Sequence, residues 1–268
     1  DYKSYIEDII YSLESRGANV IPNYSFLKAH NNKVFMELLR KQINSPELNN
    51  LHSSIFGNYE DLLKKINNTN YPCVIKSSTG AKSTGIRLAN NSKELKKFAK
   101  KLSRSFKGTY EIKDFLRKFI HKGYVPESRF QNKFILQQFI PNLKNDWKVL
   151  VYDNKYYLLE RLVRTNDFRA SCSGKFKFVT KYPEGLLDYV EKIFNILQIP
   201  NLNIDVAYDG KSFYTFEFQA IYFGTYTISY SDFYFTKINN EWEKINSKSN
   251  LEKEYANSIA NFIKKIHV

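Results

Sequence analysis

The sequence predicts an α+β fold built from antiparallel sheets, and two observations support this prediction. Segments with helical and with strand periodicity are mixed along the chain, and several consecutive strands are separated by short turns. Two of these turns, Asp153-Asn154 and Asp209-Gly210, are dipeptides that favour the tight connections of β-hairpins. Hairpins join antiparallel neighbours, so the pattern favours α+β lobes over a doubly wound parallel sheet, with a ligand between the lobes.

Apolar residues with helical spacing predict the helices. In the first segment, Ile6, Ile10 and Leu13 share a face, and Gly17 follows as a stop signal. The predicted helices are 4–16, 32–43, 58–67, 92–107, 110–121, 183–198 and 250–266. The predicted strands are 19–21, 53–56, 72–77, 84–89, 133–140, 147–152, 155–164, 202–208, 212–219 and 232–238.

The composition is that of a globular protein with room for one large domain or two lobes. Of 268 residues, 43 % are hydrophobic and 16 % aromatic. We expect no membrane span, because no stretch approaches the roughly 20 apolar residues that one needs. No signal-peptide pattern is found. Two cysteines are too few for a disulfide framework, which favours a reducing, cytoplasmic setting.

The net charge of +14 has two interpretations. It indicates an anionic partner such as nucleotide phosphates, an acidic sugar, nucleic acid or a membrane surface, or it reflects the Lys-rich codon usage of an AT-rich genome. We favour codon usage as the larger contribution. The densest basic stretch, 93–107, is the solvated face of an amphipathic helix. No nucleic-acid partner is therefore expected.

A strand that ends in Lys76 leads into a loop of small and hydroxyl-bearing residues. The loop, Ser77-Ser78-Thr79-Gly80-Ala81-Lys82-Ser83-Thr84-Gly85, can approach phosphate oxygens closely with its N–H and hydroxyl donors. It is not a Walker A sequence, because Ala81 stands where Gly would precede the Lys and a strand follows. A surface hairpin without ligand is the alternative interpretation.

A second constellation places acidic residues on two strands joined by the Asp209-Gly210 turn. Alternation puts Glu217 and Gln219 on one face, and antiparallel pairing can set Asp205 beside them. Three oxygen ligands near one point suit Mg²⁺, which bridges to substrate phosphates. A structural salt bridge to a nearby Lys or Arg is the alternative.

A third constellation combines basic residues with a polar loop. It runs from Asp146-Trp147-Lys148 through Glu160-Arg161-Leu162-Val163-Arg164 to 167–174. Arg161 has apolar neighbours on its strand, so we expect it to point into a site that binds phosphate or carboxylate. Packing and surface ion pairs are the alternative for Arg161 and more so for Arg164.

Other chemistries have little support in the sequence. The four histidines, at 30, 52, 121 and 267, have no metal-ligand spacing, and no G-x-S-x-G motif occurs. Neither cysteine has a sequence neighbourhood that promotes a thiolate, although Cys172 lies in the Arg-containing loop.

In this order and spacing, the three constellations resemble the ATP-grasp superfamily. The similarity is to glutathione-synthetase-like and ribosomal-protein glutamate ligases and to related polysaccharide-locus enzymes. It extends over nearly the whole chain, and Asp167-Phe168-Arg169-Ala170-Ser171 after a hairpin headed by Asp146 is its strongest part. The resemblance implies an ATP-grasp fold of two α/β lobes that enclose a nucleotide cleft. It also implies three regions: a partial pre-ATP-grasp segment 1–57, an N-terminal lobe 58–137 and a C-terminal lobe 138–268.

The resemblance also implies roles for individual residues. Lys33 and Lys76 resemble the lysines that reach the nucleotide phosphates, and the loop 78–84 resembles the flap over the triphosphate. Arg161 and Arg169 resemble side chains near the γ-phosphate, and Lys148 joins them as a catalytic candidate. The implied nucleotide contacts are Lys33, Lys76, Ser78, Thr79, Gly80, Ser83, and the adenine-reading hinge Gln137, Gln138, Phe139 and Ile140. The implied magnesium ligands are Asp205, Glu217 and Gln219.

Three positions depart from the family pattern. Lys148 stands where an Arg is common, Ser171 where many relatives have Asn, and Gln219 replaces the Asn of the Glu-x-Asn metal motif. Gln keeps an amide oxygen but is one methylene longer, so one metal site is expected to be shifted or weaker. The loop 220–227 and the later 231–236 resemble a subgroup associated with surface-glycan gene clusters.

The activity that the resemblance implies is an ATP- and Mg²⁺-dependent ligase that joins a carboxylate to an amine through an acyl phosphate. Its expected partners are small carboxylate and amine substrates, among them a uronic acid, a sugar nucleotide or a glycan. A phosphotransferase and a non-catalytic nucleotide-binding homologue are the alternatives. The aromatic-rich segment 222–235 either buries in a homodimer or completes the core.

Overall fold

The structure is a computed structural model of the chain. It describes residues 2–80, 85–106, 108–165, 167–170, 173–221 and 223–266. Of the helices formed by these residues, none has both the length and the apolar character needed to cross a membrane.

The described residues form α-helices and β-strands in the following order along the chain. The helices are α1 (Tyr2–Ser15), α2 (Tyr24–Ala29), α3 (Lys33–Ile43), α4 (Pro46–Asn49), α5 (Tyr59–Lys65), α6 (Ser92–Ser103), α7 (Thr109–Ile120), α8 (Leu186–Leu197), α9 (Tyr226–Tyr230) and α10 (Leu251–Ile266). The strands are β1 (Ser53–Phe56), β2 (Cys73–Ser77), β3 (Ile86–Ala89), β4 (Phe134–Gln138), β5 (Asn145–Tyr152), β6 (Lys155–Leu162), β7 (Phe176–Phe178), β8 (Asn201–Tyr208), β9 (Phe213–Gln219), β10 (Tyr234–Ile238) and β11 (Glu241–Ile245).

The chain divides into two compact units. The four-stranded unit comprises Asn31–Glu37 and His52–Phe139, and the seven-stranded unit comprises Asp1–His30, Leu38–Leu51 and Ile140–Val268. The predicted first segment, 1–57, contributes residues to both units.

The four-stranded unit has one sheet with the order β1-β4-β2-β3, in which every pair is antiparallel. One face of this sheet packs against α5 and α6 around Cys73, Ile75, Phe134 and Leu136. Helix α6 forms here because the Asn91 side chain caps its first turn by accepting from Glu94 N–H at 3.0 Å, and Leu95 and Ala99 face the sheet, where they are fully buried.

The seven-stranded unit has a sheet with the order β11-β10-β6-β5-β8-β9, and β7 pairs with β6. Every strand pair described in it is antiparallel. Both predicted hairpins are confirmed. The first joins β5 to β6 through Asp153, which has a positive φ of 53°. The second joins β8 to β9, where the Asp209 carboxylate accepts from the N–H groups of Lys211 at 2.9 Å and Ser212 at 2.8 Å.

An apolar cluster covers one end of this sheet. Leu150, Tyr152 and Tyr157 of β5 and β6 pack against Phe223 and Ile228, and Leu251 and Tyr255 of α10 close the cluster. Part of the aromatic-rich segment 222–235 therefore completes the core. Tyr222 itself lies outside the described residues.

The predicted α+β class with antiparallel sheets is confirmed, and the predicted strand 19–21 is wrong. A strand needs a neighbour for its N–H and C=O groups, and residues 19–21 pair with none of the described strands. The elements that the sequence did not predict are short: α2, α4, β7, α9 and β11.

Candidate active site

One face of the seven-stranded sheet carries polar side chains across four neighbouring strands, β6, β5, β8 and β9. The strand register pairs Asp146 with Arg161, Lys148 with Asp205, Asp205 with Glu217, and Asn203 with Gln219. Side chains directly opposite each other in antiparallel strands lie on the same face of the sheet. We call this group the polar cluster: Asp146, Lys148, Arg161, Asn203, Asp205, Glu217 and Gln219. The predicted placement of Asp205 beside Glu217 is confirmed.

Arg161 is held by two carboxylates. Its Nε and Nη2 donate to the two oxygens of Asp146 at 2.6 and 2.8 Å, and Nη2 lies 2.9 Å from Asp205 Oδ2. The first pair is the two-pronged geometry in which Arg binds a carboxylate best. Arg161 therefore lies on the polar face of the sheet, and in this structure it fixes the positions of Asp146 and Asp205.

Burial and charge act against each other in this ion pair. Burial raises the pKa of Asp146 against the pull of Arg161. Burial disfavours the charge of Arg161, but Asp205 and Asp146 outweigh it and raise the pKa of the guanidinium. The guanidinium therefore stays protonated between the two carboxyl groups.

A chain of hydrogen bonds links the other members of the polar cluster. Lys148 Nζ donates to Asn203 Oδ1 at 2.6 Å, and Asn203 Nδ2 donates to Gln219 Oε1 at 3.1 Å. Gln219 Nε2 in turn donates to Glu217 Oε1 at 3.0 Å. Burial lowers the pKa of Lys148, and the charge of Asp205 opposes this. Each of these side chains is therefore oriented by its neighbour.

The donor set fits a magnesium ion held by two carboxylates. Asp205 and Glu217 are register partners, so two hard oxygen ligands lie side by side. Counted formally, three acidic and two basic side chains give the polar cluster a charge of −1, which a cation would offset. In the part of the chain that is described, no group of three or more His, Cys, Asp or Glu has a metal-binding arrangement. Two carboxylates suffice for Mg²⁺ when phosphates and waters complete its shell.

Gln219 fits this metal site less directly than the two carboxylates. Its amide oxygen accepts from Asn203, and its amide nitrogen faces Glu217. Gln219 Oε1 has a second lone pair, through which it could bind a metal while it keeps the hydrogen bond from Asn203.

In the four-stranded unit, the start of α3 is tied to the loop after β2. Lys33 N–H donates to Ser78 O at 2.8 Å, and Lys33 Nζ donates to Gly80 O at 3.1 Å. Ser78 Oγ donates to Asn32 Oδ1 at 2.9 Å, and the same oxygen accepts from Phe35 N–H in the first turn of α3. The structure thus brings together Lys33, Ser78 and Gly80.

Thr79 and Gly85 shape this loop. Thr79 O accepts from Ser77 Oγ at 2.6 Å. A Cβ at Gly85 would lie 1.9 Å from Ser77 Oγ, so only glycine fits where the loop returns beside β2. The predicted contact Ser83, and with it 81–84 of the predicted flap, lies outside the described residues.

Lys76 and Gln137 share the face of the four-stranded sheet that is turned away from its core. The register pairs Lys76 with Ile135 and Val74 with Gln137. Gln137 is buried, and Ser53 opposite it donates to the buried Glu37.

The remaining hinge residues lie at the end of β4. Gln138 is exposed, and its N–H donates to His52 O at 2.9 Å. Phe139 is the last residue of the four-stranded unit, and Ile140, which is buried, belongs to the seven-stranded unit.

Arg169 lies in the turn that follows β6. Its Nε and Nη2 donate to Asp167 at 2.8 and 2.6 Å, and this contact lowers the pKa of Asp167. Ser171 and Cys172, named from the sequence in the same loop, lie outside the described residues. Cys73 is buried, and burial raises the pKa of its thiol to about 11, which excludes it as a reactive thiolate at neutral pH.

Sequence reasoning missed three residues that hold these sites: Asn203, Asn32 and the carboxylate of Asp146 as a partner of Arg161. The signal for Asn203 was its position two residues before Asp205, because strand alternation puts both on one face. The signal for Asn32 was an Asn as the first residue of the predicted helix 32–43, because Asn often caps the first turn of a helix.

Comparison with known proteins supports the fold. Residues 33–124 match the family model described as carbamoyl-phosphate synthase L chain, ATP binding domain. A search of curated protein sequences found no match.

Solved structures with the same fold include three N5-carboxyaminoimidazole synthetases. An ADP complex of N5-carboxyaminoimidazole ribonucleotide synthetase is 15 % identical with a TM-score of 0.54, covering 83 % of this chain and 53 % of that one. The enzyme from Thermus thermophilus is 14 % identical with a TM-score of 0.51, covering 82 % and 53 %. N5-carboxyaminoimidazole synthetase from Staphylococcus aureus, complexed with ADP, is 14 % identical with a TM-score of 0.50, covering 77 % and 49 %. The chain thus spans about half the length of these proteins.

Proposed function

We propose that this chain, which has the ATP-grasp fold, is an ATP- and Mg²⁺-dependent ligase that joins a carboxylate to an amine. The ATP-grasp fold that the sequence resemblance implies is confirmed, and residues 33–124 match an ATP-binding family model. The observation that carries the proposal is the pairing of Asp205 with Glu217 inside the polar cluster. An acidic pair at this position is suited to a magnesium nucleotide.

We assign the metal site to Asp205 and Glu217, with Gln219 Oε1 as a third ligand. A bound Mg²⁺ would neutralise phosphate charge and orient the γ-phosphoryl group for in-line transfer. Arg161 and Asn203 hold the ligands in place, the first through Asp205 and the second through Gln219. Such supporting bonds fix the orientation of the ligands before the metal arrives.

We assign nucleotide binding to Lys33, Lys76 and the loop Ser78, Thr79, Gly80 and Ser83, with Gln137, Gln138, Phe139 and Ile140 as the adenine hinge. The support is the tie of Lys33 to this loop and the position of Lys76, half-buried, on the face of the sheet turned away from α5 and α6. The lysines supply positive charge for the phosphates, and the loop supplies N–H and hydroxyl donors. The Gln138 N–H already donates to His52 O, so the hinge would contact adenine through the other backbone groups of 137–140.

The proposed reaction has two steps, a phosphoryl transfer followed by an acyl transfer. A substrate carboxylate oxygen attacks the γ-phosphorus and ADP leaves, which forms an acyl phosphate. The amine nitrogen then attacks the acyl carbon, phosphate leaves with the electron pair of the broken C–O bond, and the nitrogen loses a proton. Lys148 of the polar cluster and Arg169 are suited to bind the substrate carboxylate and the γ-phosphate, whose negative charges repel each other. Arg161 positions the acidic side chains of Asp146 and Asp205.

We propose that the carboxylate substrate is a uronic acid or an amino acid used in surface-polysaccharide synthesis. A sugar nucleotide or a glycan that carries such a carboxylate belongs to the same proposal. The support is the sequence resemblance of 220–227 and 231–236 and the positive net charge of +14.

Hydroxylamine trapping tests the reaction class. The protein is incubated with Mg²⁺, ATP, hydroxylamine and one candidate carboxylate at a time, and ADP and hydroxamate are measured. ADP release together with a hydroxamate supports the acyl phosphate. A stable phosphorylated product without hydroxamate indicates a phosphotransferase instead.

The Gln at position 219, where the family usually has Asn, favours a second candidate, a nucleotide-binding homologue without catalysis. The Gln219 side chain is one methylene longer, and its amide is held by Asn203 and Glu217, which restricts how its oxygen can approach a metal. The Gln219→Asn variant restores the family's usual side chain. Tight binding of Mg²⁺ and ATP without turnover in the wild type, with turnover gained in Gln219→Asn, would establish this candidate.

A further inference from the structure

Strand β9 contains one extra residue where it pairs with β8. The register pairs Val206 with Thr215 but the preceding Asp205 with Glu217, and it skips Phe216. At this point β9 therefore holds one residue more than β8, which is the arrangement of a β-bulge. Bulges often lie next to active sites, where they change the direction of a side chain.

The bulge determines the face of the sheet on which Glu217 lies. If β9 continued from Thr215 with regular alternation, Glu217 would share the face of Thr215. That face is opposite the polar cluster, because Thr215 pairs with Val206, the residue after Asp205 on β8. The one extra residue therefore places Glu217 on the face of the polar cluster, opposite Asp205.

A buried arginine of the seven-stranded unit contacts the backbone at this bulge. Arg40 of α3 is 1 % exposed, and its Nη1 donates at 2.8 Å to Thr215 O, the carbonyl directly before the extra residue. The same nitrogen donates at 2.9 Å to Leu48 O in α4. The guanidinium carbon lies 5.9 Å from the centroid of the Phe218 ring, which follows Glu217. Arg40 thus contacts β9 on both sides of the bulge and connects it to α4.

Strand β9 needs such contacts because it is the last strand of its sheet among those described. The backbone groups on the outer edge of such a strand have no neighbouring strand to pair with. Asn50 Nδ2 donates to Phe213 O, and Arg40 donates to Thr215 O two residues later. Side chains thus take the place of a further strand along the part of β9 that leads to the bulge.

We propose that Arg40 is a positioning residue, which holds the bulge of β9 and thereby keeps Glu217 opposite Asp205. The inference rests on the proposed function, because it takes Glu217 as a metal ligand. Arg40 is no member of the polar cluster, so it acts through the backbone of β9. A guanidinium suits this role because it stays charged when buried and presents its N–H donors in a fixed plane.

Metal affinity tests the role of Arg40. Arg40→Met keeps a long side chain and removes the donors. The affinity for Mn²⁺ is measured by electron paramagnetic resonance in the presence of a non-hydrolysable ATP analogue. Loss of a group that orients metal ligands costs about 10- to 100-fold in metal affinity, and we expect a decrease of this size.

Two further variants accompany this measurement. Ile193→Ala removes a fully buried side chain of α8 in the same unit, so it lowers stability but keeps the Arg40 contacts, and it should bind Mn²⁺ like the wild type. Arg40→Lys keeps the charge on a shorter side chain, so its affinity should lie between those of Arg40→Met and the wild type. If Arg40→Met fails to fold, Arg40→Lys decides, and wild-type affinity in it would overturn the inference.

Deletion of Phe216 separates positioning from stability. Glu217 then follows Thr215 directly, so regular alternation alone places it opposite Asp205. In this background, Arg40→Met should leave the Mn²⁺ affinity unchanged. A loss of equal size with and without Phe216, or an equal loss in Arg40→Met and Ile193→Ala, would contradict a positioning role.

A crystal structure of Arg40→Met without nucleotide or metal tests the inference apart from the ligase proposal. We expect the bulge to be lost or moved, so that Glu217 no longer pairs with Asp205. An unchanged register between β8 and β9 would overturn the inference. Failure of the wild type to bind Mn²⁺ with the nucleotide analogue would refute the proposed metal site instead, and the register would still decide whether Arg40 holds the bulge.

Discussion

The two units hold their candidate functional side chains by different means. In the seven-stranded unit, the polar cluster lies on four hydrogen-bonded strands, and its members are joined to one another by ion pairs and hydrogen bonds of 2.6–3.1 Å. In the four-stranded unit, Lys33 and Ser78 are held where a loop meets the start of a helix, largely by bonds to backbone groups. A sheet therefore orients the proposed metal ligands, and backbone contacts orient the proposed phosphate contacts.

This difference predicts how each unit responds to substitution. Removal of a side chain from the polar cluster leaves buried charges without their partners, which affects stability as well as chemistry. Removal of a lysine at the loop or at the half-buried position 76 of β2 should affect nucleotide affinity more than folding. The predictions below separate these two responses.

Glu217→Gln is expected to have the largest effect on activity. It removes one of the two carboxylates proposed for Mg²⁺ without changing the size of the side chain. Groups that neutralise charge in phosphoryl transfer contribute about 10³–10⁵-fold to the rate, so we expect ATP turnover to fall by on the order of 10³-fold. ADP release with saturating Mg²⁺ and ATP is the measurement.

The matched control for this variant is Glu241→Gln, a change of the same kind at an exposed position of β11. It should turn over ATP like the wild type, and circular dichroism should show both variants folded. Turnover close to wild type in Glu217→Gln would remove the metal assignment.

Arg161→Ala is expected to have the largest effect on stability. It leaves Asp146 and Asp205, both largely buried, without their guanidinium. Breaking a buried ion pair on one side costs about 3–5 kcal/mol, so the free energy of unfolding should fall by that amount. Urea denaturation followed by the fluorescence of Trp147 and Trp242, which both lie in the seven-stranded unit, reports on this unit, and far-UV circular dichroism reports on both units.

Arg104→Ala provides the contrast in the four-stranded unit. Arg104 pairs with Glu111 at 2.7 Å, and more of its side chain is exposed than that of Arg161. Its removal should therefore lower the free energy of unfolding far less. Equal losses of stability in the two variants would contradict the distinction between the units.

Lys76→Met is expected to weaken nucleotide binding and to leave folding nearly unchanged. A hydrogen bond to a charged group contributes about 1.5–3 kcal/mol, which corresponds to roughly 10- to 100-fold in the dissociation constant of ATP. Isothermal titration calorimetry with a non-hydrolysable ATP analogue is the measurement. Lys97→Met on the exposed side of α6 is the control, and identical affinities in the two variants would show that Lys76 does not contact the nucleotide.

Lowering the pH is expected to lower the stability of the seven-stranded unit by a smaller amount. Hydrogen bonds from Lys192 and then from Ser45 lower the pKa of Glu47 from 4.5 to about 2. Because the pKa of Glu47 is lower in the folded than in the unfolded state, its ionised carboxylate stabilises the fold above the unfolded-state pKa. This contribution to the free energy of unfolding is lost as the pH falls from about 4.5 toward 2. Stability measured by urea denaturation should therefore decline in this window.

Glu47→Gln should make that decline shallower than in the wild type. Glu241→Gln, at an exposed position, should leave it unchanged. An identical acid profile in Glu47→Gln and the wild type would contradict the contribution of Glu47.

Much of the fold could be predicted from the sequence because long elements carry their own periodicity. Both hairpins followed from their turn dipeptides. The short strand β11 was missed, although its preceding pair Asn239-Asn240 has positive φ angles of 49° and 67° and is itself a hairpin signal. The segment 19–21 has strand-forming residues but no partner among the described strands, and pairing is a property of the whole sheet.

The candidate site could be predicted less completely than the fold. Alternation and one turn predicted Asp205 beside Glu217, and the extra residue in β9 makes the two direct register partners. The partners of Arg161 could not be chosen among the many acidic residues, because the choice depends on the register between β5 and β6. The direction of the Gln219 amide depends on Asn203 in the neighbouring strand.

The central claim is that Asp205 and Glu217 bind a divalent cation together with the nucleotide. It is tested most directly by a crystal structure with Mn²⁺ and a non-hydrolysable ATP analogue, in which the anomalous signal locates the ion. We predict an anomalous peak within coordination distance of both carboxylates, about 2.0–2.3 Å for a hard divalent cation. A bound nucleotide whose ion contacts neither Asp205 nor Glu217 would contradict the proposed function.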